Sequence, residues 1–74
     1  MPTIKISTPK GILTEKIKNE IHKGITDVMI KTEGRGNKDF AQFVTIIIDE
    51  QDPANWSIGG NVVTPEIIEN LSSS

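Results

Sequence analysis

Pro2 is the residue of this sequence best suited to do chemistry. Cytosolic processing removes an initiator methionine that precedes a small residue such as proline, and loss of Met1 would leave a secondary amine at the chain terminus. With Met1 in place the same nitrogen is an amide and has no basic lone pair. The following run, Thr3-Ile4-Lys5-Ile6-Ser7, alternates in polarity as a half-buried strand does. The proline ring fixes φ and the strand fixes the rest, so this amine loses little freedom on ordering, unlike a lysine on its flexible stem. A neutral amine held in this way can act as a general base. Reference α-amino groups titrate near ~7.7–8.0, and apolar surroundings lower that value by disfavouring the cation. Ile4 and Ile6 are candidates for such a wall.

Other chemistry is poorly supported. His22, the one imidazole, follows Ile21 on the flank of an apolar helical stripe, a structural or solvent-facing place. Glu33, Asp39, Asp49, Glu50 and Asp52 fall near loops, and no spacing among them specifies a metal. Neither a cofactor nor a nucleophilic triad is expected. The net charge is −2, acids and lysines are interspersed, and Arg35 is the single arginine, so no basic stripe tracks a phosphate backbone. Phe40, Phe43 and Trp56 are too few to make a stacking platform for bases. Nucleic acid is therefore not an expected partner. No apolar run reaches the roughly 20 residues of a membrane span, and no signal-peptide core stands at the N-terminus. The expected location is the cytoplasm, without membrane attachment.

The elements that must hold Pro2 are legible in outline. Residues 3–8 form the first strand, and Pro9-Lys10-Gly11 breaks it. Thr14 is a good N-cap and Glu15 suits the positive end of a helix running to about Lys31. Its apolar stripe is Ile17, Ile21, Ile25 and Val28, and Gly24 beside it suggests close packing. Residues 32–38 are polar and glycine-punctuated, a loop. Residues 43–48 are β-branched and apolar apart from Thr45, which reads as a strand buried on both faces and ended by Asp49 and Glu50. Strand, helix and strand in this order give a βαβ crossover with parallel strands. The paired glycines of Trp56-Ser57-Ile58-Gly59-Gly60 predict a hairpin, and Thr64-Pro65-Glu66 predicts a helix start with Ile67, Ile68 and Leu71 as its apolar residues. Residues 72–74 are expected to fray. The expected class is α+β, one domain over residues 1–74.

A chain of 74 residues buries only about 60% of its unfolded surface. Without cysteines or a zinc site, oligomerisation is the remaining route to stability.

Met1-Pro2, the βαβ order, the length and the Trp56-Ser57-Ile58-Gly59-Gly60 segment together resemble the 4-oxalocrotonate tautomerase family, over nearly the whole chain. The resemblance implies that Pro2 is a catalytic base that moves a proton between a carbon next to a carbonyl and another atom, interconverting enol and keto forms. It implies that Trp56 stands where the family has an active-site aromatic, usually Phe, with Ile58 beside it in the turn. It also implies a homodimer of paired sheets, or a homohexamer of three such dimers, and a small carbonyl or enol substrate. The best-known members bind substrate with two arginines, one after the first strand and one in the second. Here Thr45 stands at the strand position, and the first loop offers only Lys10, a point charge instead of a bidentate fork. Arg35 is either an anion anchor in a longer loop or a solvated loop cation. Three readings follow: a tautomerase using Pro2, Trp56, Ile58 and Lys10 or Arg35; a non-catalytic oligomeric binding or structural module; or a proline-dependent hydratase or dehalogenase on the same scaffold.

Overall fold

The structure, a computed structural model, describes residues 1–72. Strand β1 (Thr3–Pro9) leads through a short loop into helix α1 (Glu15–Lys31), which returns the chain to strand β2 (Thr45–Gln51). The two strands pair in parallel, Thr3 opposite Thr45 through Pro9 opposite Gln51. The chain finishes with strands β3 (Ser57–Ile58) and β4 (Asn61–Val62) and helix α2 (Pro65–Ser72). Thus both the hairpin and the C-terminal helix are present. Of the residues expected to fray, Ser72 closes α2, and Ser73 and Ser74 lie outside the described residues.

Helix α1 begins where its cap chemistry places it. The Thr14 side-chain oxygen accepts a hydrogen bond from the Ile17 N–H at 3.2 Å, satisfying one donor of the open first turn. Thr64 does the same for Ile67 at the start of α2, also at 3.2 Å. Burial along β1 alternates, so Pro2, Ile4 and Ile6 share one face with their partners Ile46 and Ile48, and α1 covers that face. Lys18 near the start of α1 bridges Glu50 near the end of β2 at 2.9 Å, both side chains partly buried. That pair fixes the direction of α1: it starts over the finishing end of the sheet and runs back to the starting end.

Several expectations are corrected here. Strand β2 begins two residues later and ends three residues later than its apolar run, because Phe43 closes a 3₁₀ turn (Lys38–Phe43) and the backbones of Asp49 and Glu50 continue the ladder opposite Ser7 and Thr8. Only one of its faces is covered within the chain. Ile47, paired with Lys5 on the open face, remains 47% exposed. On α1, Ile17 and Val28 are exposed, while Lys18, Ile21, His22, Ile25, Met29 and Ile30 are half-buried, so the covered stripe is rotated from the one read in the sequence. Gly24 faces open space within the chain, and no close packing explains it.

The connection into β2 is tightly built. A Cβ on Gly34 would lie 2.7 Å from the Phe40 ring and 2.8 Å from the Ile30 carbonyl oxygen, so glycine is needed for the 3₁₀ turn to dock on the end of α1. The Phe40 and Phe43 rings are 6.1 Å apart and tilted, filling out that corner. Because the helix carbonyl cannot yield, Gly34→Ala is expected to cost about 1–3 kcal/mol, read as a lower urea midpoint. An unchanged midpoint would mean that the turn repacks freely.

The subunit is elongated, 43 × 21 × 19 Å, with a Cα radius of gyration of 15.2 Å against roughly 11 Å for a compact chain of this length. It exposes 5599 Å², where a folded monomer of 8.1 kDa exposes roughly 4,500 Å². Val63, 5% exposed, is the one buried hydrophobic residue among those described. Among the described residues, no helix is long and apolar enough to cross a membrane.

Candidate active site

The two ends of the sheet carry different parts of the expected site. Pro2 stands at the starting end, half-buried, and its carbonyl accepts a hydrogen bond from the Thr45 N–H at 3.0 Å. Its position is thus fixed by the same ladder that pairs β1 with β2. Met1 beyond it is 87% exposed. Arg35 belongs to this end too, since it follows α1 and precedes the turn that enters β2. Its backbone is left-handed, with φ 53°, an unfavourable conformation for a residue with a Cβ. The N–H groups of Gly34 and Gly36 donate to Met29 and Ile30 carbonyls at the end of α1, which holds Arg35 in that conformation. Its side chain is exposed.

The finishing end holds a cavity of about 300 Å³. Pro9, Ile12, Trp56, Ile58, Val63 and Ile68 form its apolar wall, and Ser7 and Thr8 add two hydroxyl groups. Three local devices assemble it. Asp52 caps a short 3₁₀ turn (Pro53–Asn55) by accepting from the Ala54 N–H at 3.0 Å, which redirects the chain after β2. Gly59 and Gly60, both at positive φ (60° and 84°), close a two-residue hairpin as a type I′ turn demands. The Val63 N–H then donates to the Trp56 carbonyl at 2.8 Å, placing Val63 beside the indole, and α2 brings in Ile68.

Trp56 and Ile58 both line this cavity. Lys10 follows Pro9 at this same end; its N–H donates to the Gln51 carbonyl at 2.7 Å and its side chain is exposed, but it does not line the cavity. Pro2 and Arg35 are not part of the cavity either. Seven residues of β1 separate Pro2 from the Lys10 end, roughly 23 Å of extended chain. Ile12, Val63 and Ile68 also line the cavity, and the sequence does not mark them as site residues. Val63 was recoverable in principle, since a two-residue turn at Gly59-Gly60 sets it opposite Trp56. Ile12 and Ile68 carry no such local signal.

The parallel βαβ unit that begins at Pro2 and runs on to the Trp56–Gly60 turn fits the resemblance to tautomerases drawn from the sequence. The family model for tautomerase enzymes matches residues 2–65, and the chain belongs to that family. It is 33% identical over 64 residues to the probable tautomerase K2 of Dickeya dadantii (strain 3937), covering 86% of this chain and 90% of that protein. Among solved structures it is similar to DmpI from Helicobacter pylori, with 29% identity, a TM-score of 0.66, and coverage of 99% of this chain and 98% of that one. It also shares the fold of TomN, a 4-oxalocrotonate tautomerase homologue in the tomaymycin biosynthetic pathway, at 19% identity with a TM-score of 0.69 and 99% and 97% coverage. A tautomerase-like function follows from the family membership.

Proposed function

We propose that this protein is a keto–enol tautomerase whose general base is the Pro2 amine, released by removal of Met1. The observation that carries the reading is the contrast between the two residues. Met1 is 87% exposed and can leave without disturbing packing, whereas Pro2 is half-buried and tied to Thr45. The free amine would take the hydroxyl proton of an enol, the carbonyl forms as the C=C electrons shift, and the proton is delivered to the carbon, regenerating the base. The reverse sequence enolises the ketone. A small enolisable carbonyl compound is the substrate class.

In this reading the site is shared between copies. Pro2 and the Trp56 cavity lie at opposite ends of one sheet, so one chain does not bring them together. An antiparallel pairing of two subunits sets the starting end of each sheet beside the finishing end of the other, and among the described residues both edges of the β1–β2 sheet are unpaired. Trp56, Ile58 and Lys10 of one copy then face Pro2 and Arg35 of another. The large exposed surface supports a homodimer, or a hexamer built from dimers, as the working form.

Mixing tests this arrangement. Pro2→Ala and Trp56→Ala proteins are each expected to be poor catalysts of phenylenolpyruvate ketonisation. After unfolding together and refolding at equal ratio, about a quarter of the sites regain both wild-type residues. Activity near that fraction supports a shared site. Activity no higher than the average of the two variants would mean that the site is not shared between copies.

A further inference from the structure

We infer that two copies of this chain meet along the free edge of β1, and that their α1 helices seal the seam flank to flank, with Ile21 of each copy seated on Gly24 of the other. The inference deepens the two-copy site proposed above; it rests on that assembly and not on the proton transfer. At roughly 3.6 residues per turn, Ile17, Ile21, Gly24 and Val28 fall on one flank of α1, about a quarter turn from the sheet-facing line of Lys18, His22, Ile25 and Met29. Ile17 is 39% and Val28 57% exposed, and Gly24 has open space before it. The opposite flank carries Glu15, Asn19, Lys23 and Thr26, with Ile30 as its one apolar residue. Glycine weakens a helix interior, and neither a positive φ nor a neighbour within the chain calls for it at position 24. A backbone that must admit a partner's side chain does call for it.

The handedness of the fold decides which edge that flank serves. Viewed with the strands running up and α1 in front, the right-handed crossover of a parallel βαβ unit puts β1 to the left of β2. Helix α1 runs down, and its right-handed turn puts the flank of Ile17 and Val28 on the left, over β1. Among the described residues the outer edge of β1 is unpaired. The heights agree as well. Lys18 reaches Glu50, which stands opposite Thr8. Descending about 1.5 Å per helical residue against about 3.3 Å per strand residue sets the middle of the flank level with Lys5 and Ile6. One two-fold axis there pairs Ile17 with Val28 and Ile21 with Gly24 across the helices, and brings Pro2 of one β1 opposite Pro9 and Lys10 of the other. Pairing along β2 instead would leave three strand spacings, roughly 14 Å, between those ends. The surface that the chain exposes beyond a folded monomer of its mass is on the scale that such a seam covers.

The chain has no cysteine, so single nitroxide labels can be placed at Glu20→Cys and at Lys23→Cys, both exposed positions, on the processed, assembled protein. Glu20 lies toward the apolar flank and Lys23 away from it. The expected result is that the shortest distance between copies is smaller for position 20 by roughly 10 Å, one helix diameter. Equal distances, or the reverse order, put the seam elsewhere and overturn the inference. Gly24→Leu favours the isolated helix and meets nothing in its own chain, yet should raise the dissociation constant of the assembly at least about tenfold with circular dichroism unchanged. Asn19→Leu, on the other flank, should leave that constant as it is. An assembly indifferent to Gly24→Leu also overturns the seam. Phenylenolpyruvate turnover of the labelled samples keeps the two readings apart. A failed seam with Pro2-dependent turnover leaves the tautomerase reading standing, whereas the expected distances without such turnover sink that reading and support the seam.

Discussion

Replacing Pro2 with alanine in the processed protein is expected to lower kcat/KM for phenylenolpyruvate ketonisation by about a hundredfold, the low end of what a positioned general base contributes. Alanine leaves a primary α-amine in nearly the same place, so the base is not deleted. What is lost is the ring that fixes φ, and with it the aim of the lone pair. Converting the nitrogen to an amide removes the lone pair altogether. A chain that retains Met1, verified by intact mass, is therefore expected to fall by a further factor of about ten or more. Because Met1 is exposed and the Pro2 carbonyl stays bonded to Thr45, neither change should alter the fold, and circular dichroism should be unchanged. Turnover that is indifferent to both changes would remove Pro2 from the mechanism and favour a binding module, whose mark is a saturable ligand unaffected by Pro2→Ala.

The assembly is expected to collapse when a charge is placed on the open face of the sheet. Helix α1 covers the face bearing Ile4, Ile6, Ile46 and Ile48, which leaves Ile47 in the middle of β2 on the opposite face at 47% exposure. The chain exposes roughly 1,100 Å² more than a folded monomer of its mass should, an area on the scale one partner contributes to a stable interface. Burying the remaining exposed half of Ile47 against another subunit contributes about 0.7–1.5 kcal/mol per copy, and an aspartate there adds the cost of an unpaired carboxylate. Ile47→Asp should thus shift the protein toward monomer in light scattering at micromolar concentration and lower its melting temperature. Lys16→Asp, on the exposed side of α1, is the control and should do neither. A wild-type monomer would sink the oligomer and the shared site together. An oligomer that survives Ile47→Asp would put the contact at the strand edges alone.

Features encoded over a few neighbouring residues were legible without the fold. The alternation of residues 3–8, the Thr14 and Thr64 caps and the Gly59-Gly60 turn each depend on contacts no more than a few residues apart. The bounds of α1 followed from its cap and its polar, glycine-marked end. The resemblance to tautomerases rests on Met1-Pro2, the βαβ order of these elements, the length and the Trp56–Gly60 segment, and the family match bears it out. Less legible were features set by partners distant in sequence. Asp49 and Glu50 look like a strand end, yet they continue β2 because Ser7 and Thr8 offer them a ladder. Ile17 and Val28 fit the helical period, yet the covered face is the one marked by Lys18, which Glu50 holds to the sheet.

The sequence by itself determined which residues could do the chemistry: a proline able to become a terminal amine, a lone tryptophan before a glycine turn, and a shortage of arginine. Tertiary structure decided where they stand. The parallel strands set Pro2 and Arg35 at one end and Lys10, Trp56 and Ile58 at the other, and three separated segments close an uncharged cavity around the indole. The physical reason is the rigidity of an extended strand. Seven paired residues of β1 hold the two ends apart, so residue type can be read from one chain, but their meeting depends on a surface that only the folded subunit presents.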